Sequence, residues 1–260
     1  MAQPPLSLYV HLPWCERKCP YCDFNSHEAS ELPEDAYIDA LLRDLDDDLA
    51  LAGQREIQTL FIGGGTPSLF SAESISRLMS GLASRLNLAS DLEATMEANP
   101  GSAEADKFIG FRQAGINRLS MGIQSFQDEK LRALGRVHSA EQAASAIEYA
   151  HKAGFNSFNI DLMHGLPDQT EEDAVHDLQQ AMAFRPPHLS WYQLTIEPNT
   201  VFHKRPPQLP VEDTLADIQD RGEKLLAGGG YSQYEVSAYS QRDQECRHNL
   251  NYWSFGDYLA

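Results

Sequence analysis

Apolar residues in this chain recur with two periods that take turns along its length, and the alternation predicts the elements in order. Leu8-Tyr-Val-His-Leu12 reads as a first strand. After Pro33 and the acids Glu34 and Asp35, the residues Ile38, Leu41, Leu42, Leu45 and Leu49 return at helical spacing. Thr59 to Ile62 is a short buried strand, followed at once by Gly63-Gly-Gly-Thr-Pro67. A helix is expected over 72–88 (Ile75, Leu78, Met79, Leu82, Leu86), then a third strand from Leu92 to Glu97 and the turn Asn99-Pro-Gly101. Residues 103–114 read as a helix closed by Gly115, which suits the position just past a helix end. Asn117 to Gly122 is the fourth strand, with helices over 127–134 and 140–152 behind it. Gly154 leads into the fifth strand, Ser157 to Leu162, and the turn Gly165-Leu-Pro167 leads into a helix over 171–184. Ser190 to Ile196 is the sixth strand.

Six strand–helix units with short connections predict an α/β fold with a parallel sheet. Six units are two short of a closed eight-fold barrel, so the expectation is a partial (β/α)6 barrel, with an open doubly wound sheet as the alternative. The polar residues favour the barrel. The cysteines follow the first strand, Gly63 to Pro67 the second, Glu97 ends the third and Gln124 follows the fourth. Asp161 ends the fifth, and Thr195 and Glu197 close the sixth. That rim is where parallel barrels keep their chemistry. We divide the chain into a core over 1–232 and the start of a C-terminal region over 233–260 that looks truncated.

Charge narrows the partners. With 20 Lys and Arg against 38 Asp and Glu, the formal net charge is −18, which repels nucleic-acid phosphates. The run Asp44-Leu-Asp-Asp-Asp48 reads as a solvated helix face. No apolar stretch approaches membrane-spanning length and no signal-peptide pattern opens the chain, so a cytoplasmic protein, monomeric or homodimeric, is expected.

Three of the four cysteines lie within eight positions, as Cys15-Glu-Arg-Lys-Cys19-Pro-Tyr-Cys22. One loop can fold such closely spaced thiolates around a single inorganic centre. A [4Fe–4S] cube takes four thiolates, so three would leave one iron open to a substrate. The alternative is a Cys3His zinc site completed by His11 or His27, but paired C-x2-C spacings are absent. A disulfide framework does not suit four unevenly placed cysteines in a chain of this length.

Around that loop, Gly63 to Gly65 remove side chains where backbone must come close to a ligand. Glu97 and Asp161 can accept from hydroxyls or an ammonium, and Arg136 can fork a carboxylate. Read singly, a glycine run is also a tight turn, a strand-end acid a helix cap and Arg136 a surface residue.

Taken together, these features resemble the radical S-adenosylmethionine family: the C-x3-C-x2-C run with Tyr21 before its third cysteine, and Gly63-Gly-Gly-Thr-Pro67. Within it, the chain is similar to the oxygen-independent coproporphyrinogen III oxidase group through Tyr9-Val-His-Leu-Pro-Trp-Cys15, Phe61-Ile-Gly-Gly-Gly-Thr-Pro67 and Gly122-Ile-Gln-Ser-Phe126. The resemblance implies a [4Fe–4S] cluster on Cys15, Cys19 and Cys22, an electron donor for it, and S-adenosylmethionine held by Tyr9, Tyr21, Gly64, Gly65, Thr66, Glu97, Gln124, Arg136 and Asp161. It also implies the six-unit partial barrel and reductive cleavage of the bound S-adenosylmethionine. Two departures from the oxidase stand out. The fourth cysteine of its motif is replaced by Phe24, and His248-Asn-Leu-Asn-Tyr252-Trp253 matches the HNxxYW signature of the family's haem-chaperone branch. That branch implies haem as cargo, recipient haem proteins as partners, and no oxidase activity. His248, Asn249, Tyr252, Trp253 and Cys246 are the candidate haem residues, although His248 also reads as a loop histidine and the two aromatics as ordinary packing.

Overall fold

The computed structural model describes residues 3–102 and 105–260. From the N-terminus, β1 (Leu6–Leu12) runs into the short β2 (Trp14–Cys15) and β3 (His27–Glu28), then α1 (Glu34–Ala52), β4 (Glu56–Gly64) and α2 (Ala72–Ala83). Next come β5 (Asn87–Ala98), α3 (Ala105–Gln113), β6 (Arg118–Gln124), α4 (Asp128–Ala133), α5 (Ala140–Lys152), β7 (Ser157–His164) and α6 (Glu171–Ala183). The chain finishes with β8 (His188–Gln193), α7 (Val201–Lys204), α8 (Glu212–Gly228), β9 (Ser232–Gln233), β10 (Ala238–Ser240), α9 (Arg247–Trp253) and β11 (Asp257–Leu259).

Among the described residues one sheet has nine strands in the order β11-β1-β4-β5-β6-β7-β8-β10-β9. The six expected strands are its parallel centre, and the two ends do not meet, which is a partial barrel. The segment after residue 232 is woven into the same sheet: β11 pairs parallel with β1, and β10 antiparallel with β8. Strands of three residues carry no helical or long apolar pattern, which is why periodicity passes over them.

Each central strand has an apolar and a polar face. Leu8, Ile62, Met96, Leu119, Ile160 and Leu189 alternate with Ser7, Thr59, Thr95, Arg118, Asn159 and His188, all of them buried. The apolar set joins the helices in one core with Phe70, Phe108, Phe111 and Phe155. The polar set faces the barrel interior, where Ser7, Thr59, Asn159 and His188 find polar partners, while Thr95 Oγ1 has none among the described residues. Asn159 donates to Ser120 Oγ at 2.9 Å and pairs with His188 Nδ1 at 2.7 Å.

Several boundaries differ from expectation. The third strand begins at Asn87 rather than Leu92, the fourth and fifth run on to Gln124 and His164, and the sixth runs from His188 to Gln193, which leaves Thr195 and Glu197 beyond its end. The helix over 72–88 stops at Ala83, because Ser84 and Arg85 turn the chain and β5 begins at Asn87. Leu86 keeps its burial without being helical. Residues 103 and 104, the first two of the expected helix over 103–114, lie outside the described residues. The acidic run on α1 is not wholly solvated, since Asp46 is bridged by Arg85 at 2.7 Å.

Candidate functional site

Three free thiols mark the site. Cys15 is buried at the end of β2, and Cys19 and Cys22 are half-buried on the loop that follows. The loop is tied down locally. Cys22 N–H donates to the Cys19 carbonyl at 3.1 Å, and Ala29 N–H to that of Cys15 at 3.1 Å. Lys18, inside the motif, donates its Nζ to the carbonyls of Phe24 and Ser26 (2.8 and 3.2 Å), while Glu28 accepts from its backbone N–H at 2.8 Å. Phe24, where the oxidase motif has a cysteine, is exposed.

The glycine segment packs against that loop. Gly65 N–H reaches the Leu12 carbonyl at 2.8 Å and Thr66 N–H that of Trp14 at 2.7 Å, so the end of β4 is laced to the junction of β1 and β2. Two of its glycines have steric reasons to be glycine. Gly64 has φ +120°, with His11 2.7 Å from where a Cβ would stand, and a Cβ on Gly65 would run into the Trp14 carbonyl.

A cavity of about 150 Å³ opens at the C-terminal strand ends and brings the candidates together. All three cysteines line it with Tyr21, Gly64, Gly65, Thr66, Glu97, Gln124, Arg136 and Asp161. Tyr9 does not line it. It stands one layer deeper, its hydroxyl 3.0 Å from His11 Nδ1 and its ring stacked on Phe61. Tyr21 leans on Phe202 beside the cavity.

The electrostatics follow from burial. Glu97 accepts from Gly64 N–H at 3.0 Å, but desolvation, helped by the nearby Asp161, raises its pKa to about 8. Asp161 is raised by burial too, although Ser120 and Asn159 donate to it at 3.0 and 2.7 Å. Burial alone would lower the Arg136 pKa; the neighbouring Tyr21 and Cys19 outweigh it and hold the guanidinium charged. Arg136 donates to the Gly122 carbonyl at 2.7 Å and to Cys19 Sγ at 3.5 Å, and its buried Nε has no partner among the described residues. Three thiols round one cavity, a cation beside one of them and a backbone stripped of Cβ atoms form a donor set that fits a thiolate-held cluster with an amino-acid ligand.

Several residues here escaped the sequence reading. Tyr192 donates to Gln124 Oε1 at 2.8 Å, and Asp177 accepts from Ser125 Oγ and Phe126 N–H at 2.7 and 2.8 Å. Together they brace a turn in which Gln124 adopts φ +69°. Ser120 lines the cavity as well. Only Lys18 had a signal, its place within the cysteine motif.

The comparisons with known proteins agree with this geometry. The model of the radical SAM superfamily matches residues 9–181. The chain belongs to that superfamily. It is 58% identical over 258 residues to the heme chaperone HemW of Escherichia coli (strain K12), covering 99% of this chain and 68% of that protein. The heme chaperone HemW of Bacillus subtilis (strain 168) is 38% identical, with 98% and 68% covered. Among solved structures, the coproporphyrinogen III oxidase HemN of Escherichia coli superposes with a TM-score of 0.86 at 32% identity, covering 94% of this chain and 57% of that one. Radical SAM membership brings an iron–sulfur cluster and S-adenosylmethionine with it, and the superposition agrees with the α/β partial barrel.

The candidate haem residues lie elsewhere. Cys246 and His248 are buried against Thr59 of β4 and Glu93 of β5, two layers below Glu97. Both ring nitrogens of His248 are engaged, Nδ1 with Thr59 Oγ1 at 2.8 Å and Nε2 with Tyr252 Oη at 3.0 Å. Burial first, and then the Arg118 charge, lower its pKa to about 4. Asn249 and Trp253 turn towards Glu235, which accepts from the indole N–H at 2.6 Å, while Tyr252 and Trp253 remain exposed.

Proposed function

We propose that this chain is a haem chaperone of the radical SAM type, which binds haem and passes it to haem-dependent proteins. The observation that carries the reading is the 58% identity to a heme chaperone across 99% of the chain. The chain spans about two thirds of such relatives' length, so the activity of the whole protein belongs to this proposal.

In this reading Cys15, Cys19 and Cys22 hold a [4Fe–4S] cluster, which supplies single electrons at an iron left open to a ligand. Gly64 and Gly65 bring bare backbone to the bound S-adenosylmethionine. Glu97 and Asp161 accept from its hydroxyls, and Gln124, held by Tyr192, offers its amide N–H groups. Arg136 keeps positive charge beside the Cys19 thiolate and favours that form. Tyr21 shields the cavity from water, and Tyr9 supports Gly63 from below. An electron donor serves the cluster.

Haem is assigned to α9 and its surroundings. His248, with Asn249, Tyr252 and Trp253 beside it, is the candidate haem residue on this helix, and both of its ring nitrogens are engaged in the free protein. Cys246 is the less accessible alternative, because Glu93 and Asn249 take its thiol. The haem-chaperone reading places the protein in the cytoplasm with its recipients. Among the described residues no helix is long and apolar enough to cross a membrane.

The second reading, oxygen-independent coproporphyrinogen III oxidation, draws on the superposition with HemN. Phe24 and the HNxxYW run favour the chaperone. An anaerobic assay with reconstituted cluster, S-adenosylmethionine and reductant separates the two. Tight haem binding without decarboxylated porphyrinogen is expected, and conversion of coproporphyrinogen III would sink the carrier.

A further inference from the structure

At the rim opposite the cysteine cavity, the N-terminal ends of β1 and β4 and one face of α9 enclose a groove of about 610 Å³. The helix contributes Arg247, Leu250, Asn251 and Ser254, which are spaced three and four apart and therefore share a face. These positions are distinct from the His, Asn, Tyr and Trp of the signature. The floor is apolar, from Leu250, Pro4 and Pro5, and two guanidinium groups flank it, Arg55 and Arg247.

Both arginines already have partners. Arg55 pairs with Asp257 at 2.8 Å and donates to the Pro4 carbonyl at 2.6 Å, and Arg247 donates to the Asp91 carbonyl at 2.7 Å, pairs with its carboxylate at 3.3 Å and reaches Gln58 Oε1 at 3.4 Å. The two aspartates are 50% and 74% exposed, and ion pairs in such water contribute little. Each guanidinium keeps donors to spare. The one acid lining the groove, Glu56, accepts from Gln58 Nε2 at 2.7 Å. A slot with an apolar floor and two cations suits a flat apolar ligand that carries two carboxylates.

We propose that this groove receives the two propionates of the tetrapyrrole cargo, one on Arg55 and one on Arg247, with the macrocycle over Leu250. This rests on the haem-carrier reading and says which surface does the carrying. Thr59 lines the groove and shares its hydroxyl with His248 Nδ1, so the signature histidine stands directly behind the groove wall.

The test is a Soret titration of the intact chain with haem and with haem dimethyl ester, whose carboxylates are blocked. Wild type should bind haem about a hundredfold more tightly than the ester, at about tenfold per charge-assisted contact. Arg55→Ala and Arg247→Ala should each weaken haem by about tenfold and leave the ester unaffected. Should loss of the Asp257 pair unfold the Arg55 variant, Leu250→Glu keeps both arginines and sets a carboxylate in the floor; it too should weaken haem at least tenfold. Haem affinity unchanged in Arg247→Ala and Leu250→Glu, or an ester as tight as haem, overturns the groove while the carrier stands. Absence of haem binding by wild type removes both.

Discussion

Thr59 and His248, 189 residues apart in sequence, share a 2.8 Å hydrogen bond inside the barrel. Thr59 also donates to Ser7 Oγ at 2.7 Å, and the His248 ring packs 5.2 Å from Phe61. One imidazole thus fastens α9 to β1 and β4. His248→Ala removes two hydrogen bonds and leaves a cavity, so a loss of about 2–4 kcal/mol is expected in denaturant unfolding. Wild-type stability would show that the ring does not pin the helix.

His164 is buried against Trp191 with Nδ1 unpartnered among the described residues, and burial lowers its pKa from 6.5 to about 4. The sign follows from proton uptake. Between pH 6.5 and about 4 the unfolded chain binds a proton at this histidine that the folded chain refuses. Its contribution is present above pH 6.5 and is lost as pH falls towards 4. The melting temperature of His164→Phe should therefore gain on wild type steadily as the pH is lowered through that window. Parallel curves would show that the ring titrates normally.

Glu97 moves the other way, protonated in the free protein until the pH passes about 8. Accepting from ligand hydroxyls needs the carboxylate. Affinity for S-adenosylmethionine, measured by equilibrium dialysis, should rise with pH through about 8. In Glu97→Gln that Glu97-dependent rise should vanish, and identical profiles would remove Glu97 from the site.

Gly65 transmits strain directly to the cysteine loop. A Cβ there meets backbone of Pro13 and Trp14, which cannot rotate aside as a side chain would. Gly65→Ala should lose about 1–3 kcal/mol and incorporate less iron on reconstitution. An alanine variant with full iron content would show that the two loops are not coupled.

Cys19→Ser tests the ligand assignment more directly. The side chain is only half-buried, so the fold should survive by circular dichroism while iron–sulfur absorbance disappears. A complete cluster in that variant would mean that Cys19 is not a ligand.

Sequence reading went furthest where chemistry is local. The three cysteines and the glycines at the end of β4 act within a few residues of one another, and the apolar periods of α1, α2, α5 and α6 record burial one turn at a time. The six parallel strands were legible for the same reason. The ends of α2, the short strands β9 to β11 and the braces on Gln124 were not, because each depends on a partner far along the chain. Asp177 reaches Ser125 across 52 residues, with nothing in its neighbourhood to announce it. Asp46 likewise reads as one more solvated acid until Arg85 arrives from the end of α2.

By itself, the order of residues determined the α/β class, the run of six strand–helix units and the three-thiol loop, since hydrophobic period and short spacing are properties of neighbouring positions. The tertiary structure alone decided that Tyr9 stands a layer beneath the cavity, that Glu97 is desolvated enough to hold its proton near neutrality, and that His248 is locked inside the barrel with both nitrogens engaged. Those outcomes depend on which strands lie side by side and on how much water is left between them, and neither is written in any one stretch of the chain.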